Sequence, residues 1–266
     1  MSDAKHFAVL AGNRRIWAVG AVHGESEHLA LVHAQIADFF NPGDQIVYLG
    51  NYLGRGDKVF ATINELLLFR RWIIAQPDAK LEDVIHLRGG QEEMWQKLQQ
   101  LQFAPNPSQV LQWMSTHGIA ATLLAYGLKI EDGLAAVREG ALSITRWTSA
   151  IAQAIRAHDG HMALLSSLKH AAFSDDQRLL FVHAGVDPSR PLTAQSDAFW
   201  WGGHDLSKLT APYEGYGLIV RGYDNRHGRV CMDEYVATLD GGCGFGGPLA
   251  VACFAPDGSV PHFIEV

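Results

Sequence analysis

The residues of this chain best suited to chemistry gather in five short, glycine-bearing segments. They are Gly20-Ala21-Val22-His23-Gly24, Gly50-Asn51-Tyr52-Leu53-Gly54-Arg55-Gly56, Leu87-Arg88-Gly89-Gly90-Gln91-Glu92, Phe181-Val182-His183-Ala184-Gly185-Val186-Asp187-Pro188 and Val220-Arg221-Gly222-Tyr223-Asp224. Histidine is a metal ligand and a proton carrier near neutral pH. Arginine grips phosphate or carboxylate through a planar fork of N–H groups. Glycine lets main chain approach a ligand closely. Each residue also has a structural reading: a histidine can hydrogen-bond within its loop, and an arginine can brace one.

Each segment directly follows a short apolar run. Phe7 to Leu10, Ile16 to Val19, Ile46 to Leu49 and Val84 to Leu87 read as strands, and Glu25 to Phe40 and Val59 to Ala75 as helices with apolar residues at 3.6-residue spacing. Strand–helix–strand–helix–strand predicts a parallel sheet with right-handed crossovers. From Gln91 to about His170 the chain is almost entirely helix-prone, with breaks expected at Ala104-Pro105-Asn106-Pro107, His117-Gly118, near Gly133 and at Asp159-Gly160. Strands return at Leu179–Val182, 218–220, 229–232, 236–239, 249–254 and 262–266, close together, which predicts a second, more antiparallel sheet. The expected class is α/β: two packed mixed sheets flanked by helices, as one domain over 1–266 with a helical insertion over about 91–170. In such sheets ligands bind beyond the carboxyl ends of strands, where the five segments lie.

With the segments in this order, the chain resembles the calcineurin-like metallophosphoesterases, in the branch of serine/threonine protein phosphatases and bacterial diadenosine tetraphosphatases. That family carries Gly-Asp-x-His-Gly, Gly-Asp-x-x-Asp-Arg-Gly, Gly-Asn-His-Glu, a strand ending in His-Ala-Gly, and a later Gly-His. The flanks agree at Pro42-Gly43-Asp44, from Trp113 to Gly127, from Phe181 to Pro188, and at Leu239-Asp240-Gly241-Gly242 with Gly246-Gly247-Pro248-Leu249. The resemblance implies an αββα sandwich.

The same comparison implies a degenerate site. The family's first metal-binding Asp falls on Ala21, its bridging Asp on Asn51, and the Asp that pairs with the catalytic acid on Gly54. Its metal-binding Asn falls on Gly90, its general-acid His on Gln91 and its final His on Tyr223; His23, Arg55, Glu92 and His183 match. The Arg expected shortly after a Trp is missing beyond Trp201. Two divalent cations need anionic oxygen ligands close by, and here neither carboxylate remains. Without metal, water stays near its bulk acidity and offers no hydroxide, and Gln91 cannot deliver a proton to a leaving group. The vestigial set is therefore His23, Asn51, Gln91, Glu92, His183 and Tyr223. With the nearby carboxylates missing, the resemblance implies that Arg55 and Arg88 favour an anion such as phosphate or a nucleotide over a metal, with His23, His183, Asp224 and His227 as a fallback metal set. The expectation is a pseudophosphatase, a binding or regulatory module without cofactor, whose partner is a protein or a phosphate-containing small molecule. One alternative is a phosphohydrolase acting on phosphoprotein or dinucleoside polyphosphate through a rebuilt Mn-, Fe- or Zn-type site. The other is a protein-interaction module using the helical insertion.

Composition narrows the remaining classes. The chain has 266 residues, 21 Lys and Arg against 28 Asp and Glu, a net charge of −7, and 48% apolar residues. A sizeable core is readily built at that length. There is no Lys/Arg block of the kind that supports nucleic-acid binding, and no apolar run of the roughly 20 residues a spanning helix needs. Three cysteines, Cys231, Cys243 and Cys253, make a poor disulfide framework. With no secretion signal in the N-terminal stretch, the expectation is a cytoplasmic protein with reduced thiols.

Overall fold

The computed structural model describes residues 6–227 and 229–266. Its eleven named strands form two mixed sheets. The five-stranded sheet has the order β11(His262–Glu265), β10(Ala250–Phe254), β2(Ile16–Val19), β3(Gln45–Tyr48), β4(Val84–His86). β2, β3 and β4 run parallel, linked by α1(Ser26–Phe39) and α2(Val59–Ile74), as the sequence predicts. The six-stranded sheet has the order β1(Phe7–Leu10), β5(Ala171–Ser174), β6(Leu179–Val182), β7(Leu218–Arg221), β9(Val236–Thr238), β8(Cys231–Met232).

The late strands do not make one antiparallel sheet. β6, β7 and β9 are mutually parallel. β10 and β11 instead extend the first sheet, where β10 pairs antiparallel with β2. β1 crosses to the second sheet and pairs with β5.

The inner strands β2, β3, β6 and β10 are buried throughout, covered on both faces. Side chains alternate across a strand. In β2, Ile16 and Ala18 enter the layer between the sheets with Val47, Phe181 and Phe254, whereas Trp17 and Val19 face the helices. α1 covers that outer face with Leu29, Val32 and Ile36, and α2 with Ile63, Leu66 and Ile73. The far face of the six-stranded sheet is closed by a third cluster containing Phe199, Trp200 and Leu206. The Pro42-Gly43-Asp44 flank has a structural role: buried Asp44 accepts from Arg15 at 2.9 and 2.6 Å and from the Trp17 indole at 2.9 Å.

The segment after β4 is helical: α3(Gly90–Leu98), α4(Pro107–Thr116), α5(Ile119–Ala125), α6(Ile130–Glu139), α7(Ala141–Arg156) and α8(His161–Ser166). Asn106 caps α4 by accepting from Gln109 N, and Pro107 starts it. Gly118 and Gly160 provide two of the other breaks through left-handed backbone. Gly133 is not a break. It lies inside α6, where a Cβ would strike the Trp147 indole of α7, so glycine permits the close crossing of the two helices. The final named helix, α9(Ala198–Trp201), precedes β7.

Candidate functional site

Six parallel strand ends, those of β2, β3, β4, β6, β7 and β9, deliver the five segments and a sixth loop from Asp240 to one rim. Main-chain bonds weld the loops together. Asn51 O accepts from Val22 N at 3.2 Å and His23 N at 2.6 Å; His183 O accepts from Gly222 N and Tyr223 N, both at 3.0 Å. His23, Asn51 and Arg55 each hold a left-handed backbone, with φ of 53°, 54° and 54°. Non-glycine residues adopt this conformation at a cost of order 1 kcal/mol, sustained by the surrounding bonds.

Glu92, in the first turn of α3, is 3% exposed and accepts four main-chain N–H groups: Asn51 and Gly89 on one oxygen at 2.8 Å each, Tyr52 and Leu53 on the other at 2.8 and 3.0 Å. Burial raises its carboxyl above the usual carboxylate range, while the four donated bonds pull the other way. Glu92 thus pins the second loop to the third, and its oxygens are fully engaged.

The retained residues do not fit a binuclear metal centre. Asn51 Oδ1 accepts from Gln91 N at 2.9 Å, which fixes the amide so that Nδ2 faces His23 Nε2 at 3.2 Å. An amide nitrogen only donates, so that histidine nitrogen is the acceptor and the proton sits on Nδ1. His23 Nδ1 is buried without a partner. His183 donates from Nδ1 to Leu49 O at 2.7 Å, leaving a buried, unpartnered lone pair on Nε2. Burial lowers both rings: His183 falls to about 4, and His23 falls well below its ordinary value, helped by the charges of His183, Arg55 and His227. Of these four residues, only His183 offers a free inward lone pair of the kind a divalent ion would take.

The lost positions are also filled. A Cβ on Gly90 would lie 2.7 Å from a ring carbon of Trp201. A Cβ on Gly54 would overlap Gln91 Oε1, and Gln91 is held there by donating from Nε2 to His117 O at 2.7 Å. Tyr223 stacks on His183, with centroids 5.2 Å apart and planes at 18°. An Asn at 90 and an Asp at 54 would therefore collide with other side chains.

The fallback metal set does not converge. His227 Nδ1 donates to Asp240 Oδ2 at 3.0 Å, and Asp240 also accepts Asp224 N and Gly242 N. Asp224 takes Arg221 at 2.5 Å and Arg226 at 3.4 Å. Among the described residues, no group of three or more His, Cys, Asp or Glu is placed to hold a metal ion.

The two arginines part company. Arg55 is exposed, lies 4.0 Å over the Phe245 ring, and makes no hydrogen bond or ion pair among the described residues. Arg88 donates to Glu93 at 3.2 Å and Gln96 at 2.6 Å and sits 5.6 Å over Trp200. The Arg88 guanidinium is thus engaged by side chains of the following helix α3, which leaves Arg55 as the less committed of the two. Sequence reasoning did not assign site roles to Phe245, Trp201 or Asp240. Aromatic identity alone carried no signal of where the late loops fold back.

No family profile matches this chain, and no curated protein matches it in sequence. Solved structures do. A crystal structure provisionally assigned as a diadenosine tetraphosphatase aligns with a TM-score of 0.61 at 18% identity, over 98% of each chain. A mutant of a cold-active protein tyrosine phosphatase aligns with a TM-score of 0.51 at 14% identity, over 98% of this chain and 82% of that one. Both likenesses are likenesses of fold.

Proposed function

We propose that this chain, which has the calcineurin-like metallophosphoesterase fold, is a non-hydrolytic member: a binding module whose old catalytic cleft holds a phosphate-type anion at Arg55. The observation that carries the reading is the filling of one metal position, Gly90, and of the position that pairs with the acid, Gly54. Trp201 lies on Gly90 and Gln91 on Gly54, so the ligand losses go together with compensating packing. The anion is supported by Arg55, a guanidinium with no ion pair among the described residues, in a cleft where the three Asp positions of the resemblance are Ala21, Asn51 and Gly54. Arg88, the other arginine considered for an anion, is already engaged by Glu93 and Gln96.

The helical segment suits a protein partner of such a module. Phe103, Trp113, Leu124 and Leu142 project from it at 80%, 44%, 70% and 66% exposure.

Purified protein equilibrated with excess Mn²⁺ and desalted is expected to carry no stoichiometric metal. It is also expected to release no phosphate from p-nitrophenyl phosphate or a dinucleoside polyphosphate above the protein-free rate. Calorimetry with inorganic phosphate should show binding that Arg55→Ala abolishes. Two metal ions per chain with metal-dependent turnover would overturn the reading; phosphate binding indifferent to Arg55→Ala would overturn its anion part.

A further inference from the structure

A second concavity lies away from the cleft, where the edge strands of the two sheets approach each other. β1 is the edge of one sheet and β4 the edge of the other. α2 and α8 roof the gap, leaving a groove of about 690 Å³. That volume is in the range of small-molecule sites. Phe7, Val9, Leu67, Leu81 and Leu164 are among its apolar walls. Val9 and Leu81 are 55% and 62% exposed, a wide opening of apolar surface to water.

Its charge is one-sided. Leu67, Arg70 and Arg71 stand at i, i+3 and i+4 on α2, the spacing that puts side chains on one helical face. Arg70, Arg71 and Lys169 line the groove, and among the described residues Glu82 is the single acidic one that does. Among the described residues neither the Arg70 nor the Arg71 side chain has a hydrogen bond or an ion pair. In a chain of net charge −7, two adjacent guanidinium groups without carboxylate partners among the described residues mark a locally cationic rim.

The floor carries a third sign. His86 ends β4, is 6% exposed, and lies flat on Tyr48 with centroids 4.8 Å apart and planes at 5°. Its Nε2 is buried without a partner, and neither ring nitrogen makes a hydrogen bond among the described residues. An orphaned buried polar atom costs about 1–3 kcal/mol, and an apolar ring would keep the same stack without it. Burial and the nearby Arg70 charge push this ring down to about 3, so it stays neutral and keeps one N–H donor and one acceptor.

We propose that the groove between β1 and β4 is a binding site for a small amphiphilic organic acid, its apolar body against Leu67, Leu81 and Leu164 and its carboxylate or phosphate head at Arg70 and Arg71. The apolar walls supply affinity by area, and the paired guanidinium groups select the charge. This site is separate from the Arg55 cleft and does not depend on how that cleft is read.

The test uses the full chain and the anionic dye anilinonaphthalene sulfonate, titrated by fluorescence in about 0.15 M salt, where surface charges are screened beyond roughly 8 Å. The dye should saturate at one site per chain. Decanoate and decyl phosphate should displace it, whereas decanol and inorganic phosphate at equal concentration should not. The double change Arg70→Glu/Arg71→Glu should weaken the dye by about tenfold or more, a difference of roughly 1.4 kcal/mol. Ala163→Trp, at an exposed α8 position lining the groove, should block it by filling space. Arg138→Glu/Arg156→Glu, at exposed ends of α6 and α7, is the matched charge control and should leave binding unchanged. Circular-dichroism melts confirm that each variant is folded. The site is refuted if saturable binding is missing from the parent, or survives both groove variants, or is displaced equally by decanol or by inorganic phosphate.

Discussion

Burial keeps the His86 and His183 rings uncharged at neutral pH, with pKa values pushed down to about 3 and about 4. In the unfolded chain each would accept a proton near pH 6.5. The unfolded state therefore binds more protons below that pH, and stability falls as the solution is acidified from about 6.5 toward the folded values. His86 contributes to this loss without a compensating hydrogen bond. His86→Phe keeps the stack on Tyr48 and removes the unpartnered nitrogen. It is expected to raise stability at pH 7 by ~1 kcal/mol and to flatten the decline between pH 6 and 4, as read by urea unfolding at a series of pH values. A variant less stable than the parent at both ends of that range would contradict the assignment. At this scale the sequence was informative about identity and silent about pairing. That Ala21, Asn51, Gly90 and Gln91 replace ligand types is visible in the letters. That Asn51 fixes the proton of His23 on Nδ1 depends on an amide orientation that exists only once the loops are folded.

Between elements, the repacked cleft makes a coupling that can be measured. Gly90 opens α3 and Trp201 closes α9, and they meet only in space. Gly90→Asn alone should cost ~2 kcal/mol through overpacking. In the background of Trp201→Ala the same change should cost clearly less, the Trp200 carbonyl oxygen at 3.0 Å being the crowding that remains, giving an interaction energy of at least ~1 kcal/mol in a double-mutant cycle. Additive effects would mean that the indole does not hold that space. The β2-α1-β3-α2-β4 unit was legible because apolar runs and 3.6-residue stripes are local signals. β5 escaped notice: Ala171-Ala172-Phe173-Ser174 has weak strand propensity and gains its burial from β1 and β6 on either side. Gly133 misled for a related reason, since the partner that requires it, Trp147, lies on the next helix. The allocation of β10 and β11 to the first sheet was equally invisible, because strand spacing does not say which edge a strand will join.

For the molecule as a whole, a ligand that binds the folded state stabilises it by mass action, so metal binding would register in the melting temperature whether or not it supports turnover. With His23 Nε2, the Asn51 oxygen and both Glu92 oxygens engaged, millimolar Mn²⁺ is expected to shift the midpoint by less than about 1 °C. A rise of several degrees that saturates with Mn²⁺ would show an avid site and count against the proposed reading. The residues that remain from the family pattern serve the frame: Glu92 ties loops, His183 anchors to Leu49, and Asp240 gathers the last rim segment. These ties belong to the frame of a fold that the chain shares with a solved structure at 18% identity.

The convergence of Asn51, Tyr52, Leu53 and Gly89 on the single Glu92 side chain has a kinetic corollary. Their amide protons share one acceptor, so none can be released to deuterated solvent by a private fluctuation. Exchange followed by NMR should find these four slow and matched in rate, opening as one cooperative unit. Scattered rates would mean that the carboxylate grips them singly.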